Sequence, residues 1–152
     1  MTRVNQLMSS GVVTLQTDAS CHDAVTLMVR NKIRHLPVVD RDRRLCGIVT
    51  DRDLRHRLFQ PDVFHAIGRV PVERLLSDVS VREVMSSPVV SIGGDAGVDE
   101  AARLMRDKKL GSLPVVEHDR IVGIVTETDL LRNIVGADAC CSDVETVVVS
   151  YP

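Results

Sequence analysis

The sequence predicts a mixed α/β (α+β) fold made of two β-α-β-β-α units related by a pseudo-twofold axis. Three duplicated blocks predict it. Val4-Asn5-Gln6-Leu7-Met8-Ser9-Ser10 returns as Val81-Arg82-Glu83-Val84-Met85-Ser86-Ser87. Leu36-Pro37-Val38-Val39 returns as Leu113-Pro114-Val115-Val116. Gly47-Ile48-Val49-Thr50-Asp51-Arg52-Asp53 returns as Gly123-Ile124-Val125-Thr126-Glu127-Thr128-Asp129. Met8 and Met85 stand 77 positions apart, as do Pro37 and Pro114, whereas Gly47 and Gly123 stand 76 apart. One residue therefore drops out of the turn between the last two blocks. Such a repeat is one supersecondary unit that pairs with its copy to bury an apolar face. The pairing places two equivalent clefts about the axis.

Each element has a local reason. Gly11-Val12-Val13-Thr14-Leu15 is a β-branched run after a glycine and reads as a strand. Ser20 with Asp23 three residues on is close to a capping box, so a helix starts there. Ala24, Leu27 and Met28 fall at helical spacing on one apolar stripe, repeated as Ala101, Leu104 and Met105. The copy has Gly97 where the first helix has its capping Ser, so its start is weaker. Leu36-Pro37-Val38-Val39 and Leu45-Cys46-Gly47-Ile48-Val49 flank a polar turn at 40–44 and make a hairpin, repeated at 113–116 and 121–125. A proline inside the first strand of each hairpin suggests an edge or a strand start. A second helix opens at Thr50 and at Thr126. Residues 1–58 form repeat 1, 59–80 a linker with a short helix near 72–76, 81–135 repeat 2 and 136–152 a tail. The tail turns β-branched at 144–151, which fits an added edge strand, a dimer contact or a disordered end.

Composition excludes several classes. With 152 residues the chain is long enough to bury about two-thirds of its unfolded surface. A formal charge of −2 gives no electrostatic footprint for nucleic acid. Phe59, Phe64 and Tyr151 are the only aromatic residues, too few for a base-stacking platform. No apolar run reaches the length of a membrane span and no signal peptide is apparent, so a cytoplasmic protein with neither membrane nor nucleic-acid partner is expected. The cysteines Cys21, Cys46, Cys140 and Cys141 form no Cys-x-x-Cys pair, and no metal site is expected. Cys46 reads as a small buried hydrophobe, and the vicinal Cys140-Cys141 pair would respond to oxidants if exposed. His22, His35, His56, His65 and His118 show no paired metal spacing, and Arg41-Asp42-Arg43-Arg44 reads as a solvated hairpin tip. No nucleophile–base pair stands out, so no catalytic residue and no enzyme activity are expected.

A β-α-β-β-α repeat with a Met-Ser opening, a Leu-Pro-Val-Val strand and a Gly-Ile-Val-Thr-x-x-Asp close resembles the CBS (cystathionine β-synthase) domain. Two copies over residues 4–131 resemble a stand-alone CBS pair, or Bateman module. The resemblance implies a regulatory module that binds adenosyl compounds between the repeats: AMP, ADP or ATP, or S-adenosylmethionine or NAD. No cofactor is required; the adenine nucleotide is a regulatory ligand. The site residues it implies are Thr50 with Asp53 and Thr126 with Asp129. Val13 and Val90 would supply a slot for the base, bordered by Arg34-His35-Leu36-Pro37 and Gly111-Ser112-Leu113-Pro114. An Asp carboxylate can accept hydrogen bonds from both hydroxyls of a ribose, and a Thr at a helix mouth lies where free N–H groups favour phosphate. The same Thr-x-x-Asp is also nearly a capping box, which a helix needs with or without a ligand.

The two sites are expected to differ. Asp51-Arg52 and Arg34-His35 flank the first, Glu127-Thr128 and Gly111-Ser112 the second. Arginine favours a charged ligand and an unpaired glutamate opposes it, so the site using Asp53 is the one for phosphorylated ligand. The resemblance also implies a homodimer through the helices near Ser20, Thr50, Val98 and Thr126, and an unknown effector protein. The alternative is a ligand-free module that serves dimerisation as a protein-interaction scaffold.

Overall fold

A computed structural model of the chain describes residues 2–136. The tail, with Cys140-Cys141 and the β-branched run at 144–151, lies outside the described residues. After a single 3₁₀ turn at Val4–Gln6, repeat 1 runs β1 (Leu15–Gln16), α1 (Cys21–Asn31), β2 (His35–Val39), β3 (Leu45–Thr50) and α2 (Asp51–Leu58). The linker holds α3 (Pro61–Phe64) and α4 (Val72–Ser77). Repeat 2 runs α5 (Val81–Val84), α6 (Val98–Lys108), β4 (Ser112–Glu117), β5 (Arg120–Thr126) and α7 (Glu127–Val135).

The capping chemistry is as the sequence implies. Ser20 accepts from Asp23 N–H in a full capping box, whereas Gly97 caps α6 without a side-chain bond. The hairpins pair antiparallel, with Pro37 opposite Ile48 and Pro114 opposite Ile124. Each proline sits where no donor is needed. Ile48 and Ile124 turn their N–H and C=O groups away, to Ser86 and Ser9, so the proline nitrogens face the other side of the strand. Each hairpin carries a bulge, leaving Cys46 and Val122 unpaired. Cys46 is thus half-buried at an irregularity rather than a core hydrophobe, and its thiol donates weakly to Arg44 C=O. The turns differ as the changed spacing requires. Asp40 Oδ1 accepts from Asp42 and Arg44 N–H in the longer first turn, while His118 and Asp119, both with positive φ, close the second in two residues.

The first strand of each repeat is shorter than expected. Gly11 to Thr14 are irregular, and β1 pairs parallel with β2 only from Leu15 opposite Val38. Its counterpart is a single bridge, Ile92 to Val115, because Gly93-Gly94 follow and glycine leaves nothing to pack on the pleat. The sheets accordingly have three strands and two.

Two cores form, and the opening segments are exchanged between them. Val81 is fully buried among Leu36, Val38 and Val49 of repeat 1. Val4 is fully buried among Leu113, Val115 and Val125 of repeat 2. Backbone bonds fix the exchange: Val4 N–H donates to Ala96 C=O at 3.0 Å and Val81 N–H to Ala19 C=O at 3.0 Å. Further on, Ser9 and Ile124 exchange both backbone bonds, as do Ser86 and Ile48. Glycine is required where the segments cross. A Cβ on Gly47 would overlap Met85 Sδ, and one on Gly123 would overlap Met8 Sδ. Met85 Cγ at 2.9 Å and Cβ at 3.3 Å leave that side chain little room to swing away.

Gly47→Ala is therefore expected to destabilise by about 1–3 kcal/mol, as overpacking does. In a Met85→Ala background the same change should cost clearly less. Urea unfolding of the two singles and the double measures the coupling; equal costs in both backgrounds would contradict the crossing as described.

Candidate functional site

The exchange leaves one cleft of about 890 Å³ between the repeats, lined by both Thr–Asp pairs. Each pair is a capping box. Asp53 Oδ2 accepts from Thr50 N–H (2.8 Å) and Thr50 Oγ1 (2.8 Å), while Asp53 N–H donates to Thr50 Oγ1 (3.2 Å). Asp129 and Thr126 repeat this at 2.8, 2.7 and 3.3 Å. The caps fix each carboxylate and leave its second oxygen for other work. Asp53 Oδ1 has no partner among the described residues, whereas Asp129 Oδ1 lies 3.9 Å from Arg132. Each Thr hydroxyl already donates to its Asp and accepts from that residue's N–H, so only a spare lone pair remains for a ligand.

Of the residues the sequence singled out, Val13, Arg34, His35, Thr50, Asp53, Ser112, Thr126 and Asp129 line this cleft. Five do not. Leu36 and Leu113 are fully buried in the two cores, Pro37 and Pro114 are fully buried as well, and none of the four lines the cleft. Val90 packs against the second core, so the slot pairing Val13 with Val90 exists only at Gly11, Val12 and Val13.

Sequence reasoning missed Lys32 and Lys109. These equivalent residues close α1 and α6 in the left-handed conformation, each with φ 54°, and both line the cleft. Glycine is the usual residue there because a Cβ in that conformation is strained. Two lysines at this position bring ammonium groups to the cleft at some cost in stability. A reader of sequence sees only lysines after a helix and expects solvated ends.

Electrostatically the cleft reverses the sign of the whole chain. Lys32, Arg34, Arg52, Arg55, Lys109 and Arg132 face Asp51, Asp53, Glu127 and Asp129. Arg55 pairs with Asp51 at 2.9 Å. Four of the six cations belong to repeat 1. Burial, and then the Arg34 guanidinium, push the His35 imidazole below its ordinary value. Among the described residues no group of three or more His, Cys, Asp and Glu side chains is placed to hold a metal ion. The buried Cys21 thiol is pushed up to about 11, first by burial and then by Glu83, which leaves it a poor nucleophile at neutral pH.

A family model for the CBS domain matches residues 4–60 and 81–136. A CBS domain-containing protein of Dictyostelium discoideum is 39% identical over 129 residues, covering 84% of this chain and 88% of that one. Other relatives are longer, and the chain spans 24–32% of their length. The CBS domain pair of protein MJ0100, solved with 5′-methylthioadenosine and S-adenosyl-L-methionine, superposes with a TM-score of 0.75 at 28% identity, covering 88% of this chain and 96% of that one. CBSX2, solved in complex with AMP, superposes with a TM-score of 0.73 at 25% identity, covering 89% and 97%.

Lys32→Gly should raise stability by about 0.5–1 kcal/mol through relief of the left-handed cap. The midpoint of urea unfolding reads this directly; a loss of stability would mean that the lysine side chain supports the fold.

Proposed function

The chain belongs to the CBS domain family, and we propose that it is a regulatory module that binds an adenosyl nucleotide in the cleft between its repeats. The observation that carries this is the corner at the mouth of α2. There a capped Asp53 keeps one carboxylate oxygen free beside Thr50, Arg52 and the Gly11–Val13 segment. A carboxylate oxygen accepts from ribose hydroxyls, an apolar segment covers a base, and the basic residues of repeat 1 attract phosphate. Ligands of the same class occupy MJ0100 and CBSX2. The second corner lacks the slot, carries Thr128 in place of Arg52, and has Glu127 where Asp51 is neutralised by Arg55, so it is the poorer site for a phosphorylated ligand. Regulation follows if the ligand prefers one arrangement of the halves, because it then shifts the population that an effector protein meets. No catalytic role is assigned to the cleft.

One observation favours the other reading, a ligand-free scaffold: both Thr–Asp pairs are satisfied as caps without any ligand. Both readings accommodate a homodimer. Leu131, Ile134 and Val135 of α7 are 60%, 77% and 65% exposed, an apolar stripe that a second copy would cover. Among the described residues no helix is long and apolar enough to cross a membrane.

A thermal-shift panel of AMP, ADP, ATP, S-adenosylmethionine and NAD separates the readings. Ligand at a hundred times its Kd adds about 2.7 kcal/mol, an easily seen shift, whereas a scaffold shows none. Asp53→Ala should weaken AMP binding about tenfold or more, with Asp129→Ala close to wild type; unchanged affinity in Asp53→Ala removes the assignment of the corner. For the dimer, sedimentation should show two copies for wild type at micromolar concentration and one for Ile134→Glu. A wild-type monomer would overturn it.

A further inference from the structure

We propose that the apolar run at 144–149 of this chain docks in a groove between α1 and the linker helix α4. The groove has a volume of about 460 Å³, and its apolar walls are Val25 and Val29 of α1 with Val72 and Leu76 of α4. Val29 is 74% exposed and Val72 37%, so among the described residues the upper walls stand open to water. Repeat 2 offers no such place. Its helix α6 carries Asp99, Ala102 and Arg106 at the positions of His22, Val25 and Val29. Asp99 lies 3.6 Å from Arg103, and Arg106 lies 2.7 Å from Asp107, so that surface is charged and paired within itself. The linker that supplies α4 is not duplicated either. Of two equivalent helices, only the one flanked by the linker has valine where its copy has arginine.

Composition, charge and reach select the occupant. Val144, Val147, Val148 and Val149 form a β-branched run with apolar side chains to bury. Acids flank its start, at Asp143 and Glu145. On the groove's rim, His22 and Arg30 stand on the α1 side and Glu73 on the α4 side. Arg30 has no ion-pair partner among the described residues. The acidic flank therefore settles on the α1 rim, beside Arg30 and away from Glu73. Val144 stands eight positions beyond Gly136, where the described residues end. Eight extended residues span up to about 27 Å, nearly twice the radius of gyration of about 14 Å for a body of this length. Once seated, the run ties the linker to repeat 1. It does so beside the bond from Cys21 N–H to Val79 C=O (2.8 Å), where the linker hands over to the arm of Val81.

Tyr151 is the only tyrosine and the chain has no tryptophan, so tyrosine emission reports on the tail alone. In the intact chain, steady-state anisotropy and acrylamide quenching should show Tyr151 held and shielded. Val29→Glu should lower the anisotropy and raise the quenching towards the values measured in urea. Arg30→Glu should act in the same direction, and adding Glu145→Lys should restore both readings. Val148→Glu changes none of the described residues, so it gives the same loss without any effect on α1. Wild type and Val29→Glu should sediment alike. A dimer lost in Val29→Glu while Tyr151 stays unchanged would mean that a second copy covers the groove, and overturns the proposal. A wild-type Tyr151 as quenchable as in urea overturns it too, as does a held Tyr151 that both glutamate variants leave in place.

Discussion

The structure depends on the reciprocal insertion of each opening segment into the other half's core. Val4 and Val81 are fully buried in the half that does not follow them in sequence, and Met8 and Met85 cross Gly123 and Gly47 so closely that no side chain fits beneath. Backbone ladders at Ser9–Ile124 and Ser86–Ile48 tie the crossings to both hairpins. Close-packed interiors do not yield gradually, so these insertions set the spacing of the halves. The width of the cleft follows from that spacing. Ser9 and Ser86, which carry the crossings, also line the cleft, so its floor and the clamp between the halves are the same backbone.

At either end of the cleft the hydrogen bonds that cap a helix also fix a carboxylate in place. A helix start has orphan N–H groups that need an acceptor, and the Thr–Asp box supplies it. The box commits one carboxylate oxygen and one rotamer, leaving the other oxygen held in place. Capping and the sugar recognition proposed above are therefore compatible uses of one rigid group rather than rivals. The ends differ in what surrounds that group. At Asp53 the neighbours are cationic residues of repeat 1; at Asp129 they are Arg132 and Glu127, which has no ion-pair partner among the described residues.

Most of the architecture was legible because it is local. Spacing, caps and turn residues placed the two long helices, the hairpins and the short helix at 72–77. The cleft residues Thr50, Asp53, Thr126 and Asp129 were legible as a repeated motif. What the chain does across its length was not. The apolar period that buries Val4 does not say which core receives it, so the exchange could not be read. Leu36 and Leu113 lie next to the wall residues His35 and Ser112 in sequence, yet alternation along the strand turns them to the core side; Pro37 and Pro114 share the face of the wall residues but are fully buried. The failed first strand of repeat 2 was visible in principle, in Gly93-Gly94. Lys32 and Lys109 were hidden because they occupy a conformation that sequence rules reserve for glycine.

The exchange also makes each half incomplete alone. Either core is closed by an arm that begins the other repeat, the arrangement of a domain-swapped dimer held within one chain. The stretch at 59–80 is then a tether that keeps both arms within reach of their cores.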